Sequence, residues 1–360
     1  MTSRKTVALI MPVRNEERSA QQTLDSVFAS TRLPDEIVVA DGMSTDRTVE
    51  RILRYADRGV ALRVVPNEKI LPGAGRNVAV NASSAQILLL LDFGNTIDRC
   101  WIDEMVRPFE SDERLDLVGG IFVPDVRSDF EACVAAIQFE QQQKLLELPA
   151  ERRRAVLPAR PAPGGLSVGL TRAAWDRLGG MPDWLRAAED KTFGRKLMAT
   201  NPRWVFNPNA VLFHHMRATP RQVCHQMWTY FRGEGRTGRI GSHVLKLCAF
   251  YLVQLGLLAG CVYAWPSGAL CAGLIILYVY SSGVRKVTHS GGPLARAWRL
   301  APRVLFARDA GMIAGETAGL ADWIFQPIYR RRLREYESGR VAPGGGDRAA
   351  TSAVARRADG

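Results

Sequence analysis

The chain has 360 residues, enough for one domain of about 200 to 250 residues and something further, and its 47% hydrophobic content excludes a disordered chain. Its formal net charge of +12 and sequence pI near 9.8 admit nucleic acid or an anionic membrane surface as partner. The six cysteines, Cys100, Cys133, Cys224, Cys248, Cys261 and Cys271, form no CxxC pair, so a zinc or thiol-redox signature is excluded.

The N-terminal stretch MTSRKTVALIMPVRNEER carries an apolar run of only about seven residues before Arg14, Asn15, Glu16 and Glu17. That is short for a secretory leader and suits a first strand over residues 6–12. Leu24, Val27 and Phe28 recur at helical spacing and predict a helix over 19–30. A second strand, 36–40, ends at Asp41. DGMSTDRT then makes a loop in which Thr45 or Asp46 can cap a helix over 48–56. A third strand is expected over 60–65, a turn-rich loop over 67–76, and a helix over about 74–83. The apolar run 87–91 then stops abruptly at Asp92, the pattern of a strand buried on both faces. Asp41 and Asp92 both terminate strands, where open α/β sheets put their ligand crevice. As plain turn residues the DFGN positions would need no function. As site residues the two carboxylates would serve a base, a ribose or a divalent ion.

The alternation of strand and helix predicts an α/β fold with a mainly parallel, nucleotide-binding sheet and flanking helices. No GxGxxG follows the first strand and no Walker lysine motif appears, so dinucleotide and P-loop enzymes are disfavoured. Beyond the crevice a helix is expected over 101–109, a strand over 117–122 and a long helix over 129–148. The stretch 150–165 carries Arg152, Arg153, Arg154 and Arg160 with three prolines. It reads as a solvated connection, or as an arginine-bearing lid over a phosphorylated ligand. A small-residue strand over 165–170 and a helix over 172–178 precede RAAEDKTFGRKLM, a helix start with Glu189 and Asp190 in its first turn, where carboxylates meet free amides. Two short strands, 204–207 and 211–214, follow. His214, His215 and His225 have no zinc-site spacing.

From residue 244 the chain changes character. Residues 247–265 contain only Gln254 as a strongly polar member, and 269–283 form a second apolar stretch after Pro266, Ser267 and Gly268. Tyr251, Tyr263, Trp265, Tyr278 and Tyr280 mark interfaces. Arg232, Arg236, Arg239 and Lys246 before the pair, and Arg285 and Lys286 after it, predict a membrane hairpin with both ends cytosolic. A weaker stretch, 300–328, is broken by Asp309, Glu316 and Asp322 and reads as an interfacial helix or a third span. The tail from Arg330 is basic and expected to be disordered. The basic residues carry no aromatic interleaving of an RNA-binding kind, so membrane lipids are the expected partner and nucleic acid is not.

Several segments together resemble the family 2 glycosyltransferases of GT-A fold, and their membrane-associated, succinoglycan-type polysaccharide transferases in particular. These are MPVRNEE at 11–17, ADGMSTDRT at 40–48, PGAGRNVAVNAS at 72–83, Asp92 after its strand, AAEDKTFGRKL at 187–197 and HQMWTYFRGEGR at 225–236. The resemblance implies a catalytic domain over 1–240, a membrane hairpin with an interfacial or third helix over 241–330, and a basic tail over 331–360. It implies an inverting transfer of a hexose from a nucleotide-sugar donor to a lipid-linked or polysaccharide acceptor at the cytosolic face of the inner membrane. Export or polymerisation machinery is the further partner class it implies. Pro12, Asn15, Glu16, Asp41, Arg76 and Asn77 would lie about the nucleotide. Asp92 would be the first acid of a D-x-D element holding Mg2+ or Mn2+. Asp190, with Glu189, would supply the general base, and Gln226, Tyr230 and Arg232 would reach the pyrophosphate or acceptor, Arg232 through its fork of donors. Gly94 stands where the family carries a second acid. Asp92 would then hold the ion through water, or Asn95, Asp98 or His214 would replace that ligand, or the activity would be metal-independent, altered or lost. The competing readings are a catalytically altered scaffold or glycan-binding protein, and a nucleotidyltransferase.

Overall fold

The computed structural model describes residues 4–140 and 166–339. The expected arginine lid and the end of the long helix predicted over 129–148 lie outside the described residues. The chain divides into two compact units, the first comprising Met1–Val123, Leu145–His215 and Arg334–Gly360, the second Pro124–Lys144 and Met216–Leu333. The chain thus leaves the first unit at His215.

The first unit is built on β1 (Val7–Val13), β2 (Glu36–Asp41), β3 (Ala61–Pro66) and β4 (Ile87–Leu90), all paired in parallel. Their sequences are continuous apolar runs because both faces are covered. Val7, Leu9, Met11 and Val13 of β1 enter one core, whereas Ala8 and Ile10 enter the other. β4 divides in the same way, Ile87 and Leu89 against Leu88 and Leu90, as the two-residue period of a strand requires. The helices α1 (Ala20–Phe28) and α4 (Trp101–Ser111) close the first core through Leu24, Val27, Trp101, Met105 and Phe109. The helices α3 (Pro72–Asn81), α6 (Arg172–Leu178) and α7 (Glu189–Ala199) close the second through Val80, Trp175, Leu178, Phe193 and Leu197. α2 (Thr48–Leu53) follows β2.

The sheet is mixed, which corrects the mainly parallel expectation. Its order is β3-β2-β1-β4-β7-β6-β8-β5. β7 (Val168–Thr171) runs antiparallel to both β4 and β6 (Leu117–Asp125), and β5 (Asn95–Ile97) antiparallel to β8 (Trp204–His215). The strand–helix alternation that fixes the parallel half stops at Asp92, so its periodicity carried no information about the other half. β5 was not expected at all, because three residues after a glycine read as a turn. β8 is one strand where two short ones were predicted.

In the second unit α5 (Asp129–Gln138), α8 (Pro220–Gly235), α9 (Ser242–Gly260), α10 (Trp265–His289, with a π-turn over Tyr280–Val284) and α11 (Leu294–Phe325) are helices. α9 and α10 are long and apolar enough to cross a membrane, and only 17% and 22% of their apolar windows are buried. Leu252, Leu255, Leu258, Val262, Leu270, Ile276 and Leu277 all face outward, as a membrane hairpin requires. α8 and α11 pack backbone to backbone. A Cβ on Gly311, Gly315 or Gly319 would fall 2.3, 2.5 and 2.3 Å from the carbonyl oxygens of Cys224, Trp228 and Arg232. α12 (Pro327–Glu337) corrects the expectation of a disordered tail from Arg330: Tyr329, Leu333 and Tyr336 recur at i, i+4 and i+7 and are buried. Residues beyond 339 lie outside the described part.

Candidate active site

The site is assembled at the carboxyl edge of the parallel strands. β1 lies between β2 and β4, with Val13 level with Asp41 and Ile10 level with Leu90. Asp41 and Asp92 are therefore two strand spacings apart, roughly 10 Å. The Asp41 carboxylate accepts the Ser44 amide through both oxygens, at 3.2 and 3.1 Å. Asn15 has a left-handed backbone, φ 54°. Its amide donates to Ser44 Oγ at 3.0 Å and its Oδ1 accepts the Thr45 amide at 2.9 Å. The Glu16 amide donates to Thr48 Oγ1 at 2.8 Å, and its carboxylate accepts the Ser19 hydroxyl. Asn15 and Glu16 thus pin the loops after β1 and β2 to each other. Pro12, half-buried, is opposite Ala40 in the sheet.

Arg76 is the centre of the arrangement. Its side chain is 3% exposed, yet it holds two carboxylates. Nη2 donates to both oxygens of Asp92, at 2.8 and 2.9 Å, and Nη1 donates to Glu189 Oε1 at 2.9 Å. Asp92 keeps a third of its side chain exposed, whereas Glu189 keeps 8%. Local sequence brings these groups together. Pro72 starts α3 with a preset backbone, and Gly73 lets the turn before α7 approach, since a Cβ there would sit 2.4 Å from the Pro182 carbonyl. Asn77 clamps that turn: its Nδ2 donates to the Met181 carbonyl and its Oδ1 accepts the Met181 amide, both at 2.8 Å. Both ends of the Asn77 amide are thereby engaged in the fold. The glycines of PGAGRN, which form no phosphate loop, are what permit this close approach.

Burial opposes the charge on Arg76, but Asp92, Glu189 and Asp190 more than offset it and stabilise the cation. Burial, then the neighbouring Asp190 charge, push the Glu189 carboxyl up to about 7 against the pull of Arg76. Asp190 lies in the same first turn of α7, is less buried than Glu189, and accepts the Lys191 amide at 2.7 Å. Sequence reasoning passed over Asn67, which is 2% exposed. Its amide donates to the Asp41 carbonyl at 2.7 Å and its Nδ2 to the Leu71 carbonyl at 3.1 Å, while its Oδ1 has no hydrogen-bond partner. The signal was available, because Asn67 follows β3 directly at the same edge as Asp41.

Gly94 has φ +86°, where a side chain would be strained, and a Cβ there would lie 4.0 Å from Glu16 Oε2. The substitutes considered for its missing acid are engaged elsewhere. Asn95 Nδ2 donates to the Asp92 carbonyl at 3.0 Å, Asn95 Oδ1 meets His214 Nδ1 at 2.7 Å, and Asp98 accepts the Cys100 amide at 2.9 Å. No cluster of three metal-ligating side chains occurs among the described residues. A cation carried with a nucleotide does not need one, since Mg2+ takes one or two carboxylates and fills its shell with phosphate oxygens and water. Asp92 fits that role, because a carboxylate bonded twice to arginine retains further lone pairs.

Gln226, Tyr230 and Arg232 belong to α8 in the second unit. Gln226 Nε2 donates to Tyr230 Oη at 3.3 Å. Arg232 stacks on Trp228, 4.9 Å from the ring centroid, and its Nε donates to Asp322 at 2.9 Å. Arg236 donates to the same Asp322 oxygen at 2.7 Å. Arg232, expected at a phosphate, is here a counter-ion of Asp322.

Residues 8–159 match the family model of Glycosyl transferase family 2, which bears out over that span the resemblance read from the motifs. The likeness to succinoglycan-type members is a finer matter that this match does not reach. The chain is 28% identical over 203 residues to glucosyl-3-phosphoglycerate synthase of Mycobacterium tuberculosis, covering 49% of this chain and 62% of that protein. It is 32% identical over 97 residues to the UDP-Glc:alpha-D-GlcNAc-diphosphoundecaprenol beta-1,3-glucosyltransferase WfgD of Escherichia coli, covering 27% of this chain and 36% of that one. The chain therefore spans less than two thirds of the length of these relatives. Among solved structures, the mannosyltransferase PcManGT from Pyrobaculum calidifontis in complex with GDP-Man and Mn2+ superposes with a TM-score of 0.54 at 19% identity. The superposition covers 90% of this chain and 88% of that one, and the likeness is one of fold.

Proposed function

We propose that this chain is a membrane-associated glycosyltransferase of family 2 that moves a hexose from a nucleotide-sugar donor, with inversion, to a lipid-linked or growing glycan acceptor at the cytosolic face of the inner membrane. The observation that carries the reading is the group of Asp92, Glu189 and Asp190 about the buried Arg76, at a sheet edge whose residues 8–159 match that family.

In this reading Asp190 is the base. Its carboxylate takes the proton of the acceptor hydroxyl as that oxygen bonds to the anomeric carbon, and the bond from that carbon to the nucleoside diphosphate breaks. Glu189 does not compete for the role while Arg76 holds it, and it fixes the first turn of α7 that presents Asp190. Asp41 and the unpartnered acceptor of Asn67 suit the N–H groups of a base, with Pro12, Asn15 and Glu16 shaping the loops around it. The departing diphosphate enters a region lined by Asp92, Glu189 and Asp190 beside Arg76, and its growing negative charge calls for a cation beside the leaving group. Mg2+ or Mn2+ held by Asp92 together with the diphosphate would supply that counter-charge. The outward leucines of α9 and α10 support a hairpin in the membrane, and a lipid-linked acceptor would then share the leaflet with the enzyme. Gly94 alone favours a second reading, a glycan-binding protein of this fold without transfer activity.

Calorimetry of the full chain in detergent against UDP-, GDP- and dTDP-sugars tests the proposal. One nucleotide class is expected to bind saturably, with affinity lowered at least tenfold by EDTA. No binding by any of the panel overturns the reading, and binding indifferent to EDTA removes the cation from it.

A further inference from the structure

α11 has its polarity turned inside out. Its three acidic residues, Asp309, Glu316 and Asp322, are 1%, 2% and 7% exposed, all facing inward. Each has a partner on the inner side. Asp309 accepts the hydroxyls of Tyr251 and Tyr278 and the guanidinium of Arg308. Glu316 accepts the Gly241 amide at 2.9 Å, and Asp322 accepts Arg232 and Arg236. The outer face carries no acid: Leu294, Trp298, Phe306, Ala310, Ala314, Thr317, Ile324 and Phe325 are exposed along it at helical spacing. Even the Thr317 hydroxyl is internally satisfied, donating to the Ile313 carbonyl at 2.8 Å. A helix with its acids inside and, past Arg303, only apolar or internally satisfied groups outside is solvated there by hydrocarbon, not by water.

Two further observations say how such a helix lies. Trp298, near the start of α11, stacks on Tyr280 of α10, with centroids 6.4 Å apart, so the outer face of α11 continues the apolar surface of the hairpin. Arg299 and Arg303, both exposed, flank Trp298 as basic anchors do at a phosphate layer. The chain leaves the first unit at His215 and re-enters it at Arg334, where Tyr336 Oη donates to the Gly180 carbonyl at 2.9 Å. The hairpin crosses the bilayer twice and returns to its starting side. One more crossing by α11 would deliver Arg334 to the wrong side.

We infer that α11 is a membrane-embedded helix lying in the plane of the leaflet from which the hairpin enters, its outer face against lipid from Leu294 to Phe325. The inference rests on the membrane reading of α9 and α10. Among the described residues it makes the membrane surface a hairpin plus one in-plane helix, and it assigns Asp309, Glu316 and Asp322 to internal ties that keep carboxylates off that face.

Spin labels read it out independently of any transfer reaction. The full chain, with its cysteines replaced by serine or alanine, would carry a single label through Ala310→Cys, Ala314→Cys or Thr317→Cys, with Leu255→Cys in α9 as reference. It would be reconstituted in nanodiscs of phosphatidylcholine and phosphatidylglycerol. The expected result is strong relaxation by oxygen and weak relaxation by a nickel chelate at all three α11 sites, at one shallow depth, with Leu255→Cys deeper. Aqueous exposure of the α11 sites while Leu255→Cys is in lipid overturns this inference alone. A depth gradient through the bilayer midplane overturns the in-plane placement, and aqueous exposure of Leu255→Cys overturns the membrane reading beneath it. Quenching of the native chain by brominated lipid gives a second readout that needs no cysteine replacement. Trp298→Phe must lower the quenched fraction of tryptophan emission, and an unchanged fraction counts against the inference.

Discussion

Two buried charge clusters, one in each unit, are built from the same residue types and differ in their access to solvent. Around Arg76, three carboxylates share one guanidinium, and Asp92 still reaches solvent. Around Asp322, two guanidiniums share one carboxylate, each arginine is further seated on an aromatic ring, and Asp322 is 10% exposed at its side chain. The second cluster is closed: its partners satisfy one another and bind α8 to α11. The first is open, since Asp92 keeps a third of its side chain exposed and retains lone pairs for a further cation or hydrogen-bond donor. Perturbed titratable groups that reach solvent at a sheet edge make a candidate site, whereas a buried ion pair inside a helix packing serves structure.

The sharpest way to break that comparison is Asp190→Asn. Loss of the base is expected to cut turnover roughly 10³-fold while leaving donor affinity within about twofold. The check is single-turnover transfer with the true acceptor, alongside calorimetry with the donor. Equal turnover of parent and variant removes Asp190 from the chemistry and leaves the open cluster without its function.

Arg76→Met comes next. It strands Asp92 and Glu189 without their shared cation, and breaking a buried pair in this way costs about 3 to 5 kcal/mol. Denaturant unfolding in detergent should show that loss, and adding Glu189→Gln to the same chain should recover part of it. If the double variant is no more stable than Arg76→Met, the two residues are not coupled and the cluster is not one network.

Much of the first unit was legible because its residues obey short periods. Runs such as VALIMPV and ILLL admit only a doubly covered strand, and each ends at the carboxyl edge where Asp41 and Asp92 stand. Glu189 and Asp190 were legible as first-turn acids. What was not legible was long-range. Nothing in PGAGRN says that Arg76 will meet Glu189, 113 residues away. That contact depends on Gly73 admitting the turn that Asn77 clamps. The direction of the antiparallel half escaped for a related reason, since a strand about β7 was legible but its pairing with Ile87–Leu90 is a long-range contact. Arg232 shows the same long-range dependence, since nothing in its motif says that its Nε meets Asp322, 90 residues on. The acids of α11 looked like interruptions of an apolar stretch because sequence does not reveal which way they face.

Asp322→Ala tests the closed cluster and should separate it from the open one. It leaves Arg232 and Arg236 facing each other without their carboxylate, at an expected cost of about 3 kcal/mol. Donor affinity per folded molecule should stay within twofold of the parent. A fall in donor affinity at full folding would mean that Asp322 serves the ligand as well as the helix packing, and the distinction between the clusters would fail.

The smallest effect is a slope. Glu189 titrates near 4.5 in an unfolded chain and at about 7 when buried. A carboxyl raised on folding stabilises the protein below its unfolded value, and that contribution is lost as pH rises through the folded one. Between pH 5 and pH 7 the native chain should therefore lose stability on the order of 2 kcal/mol through this group. Glu189→Gln keeps an acceptor for Arg76 but cannot ionise, so its unfolding free energy should be flatter across the same window. The two curves should converge towards pH 5 and separate by pH 7, with the variant the more stable at the higher pH. Arg76 opposes the shift, and if it held Glu189 fully ionised throughout, the native chain would show no such slope. Parallel curves for parent and variant would then mean that the guanidinium outweighs burial.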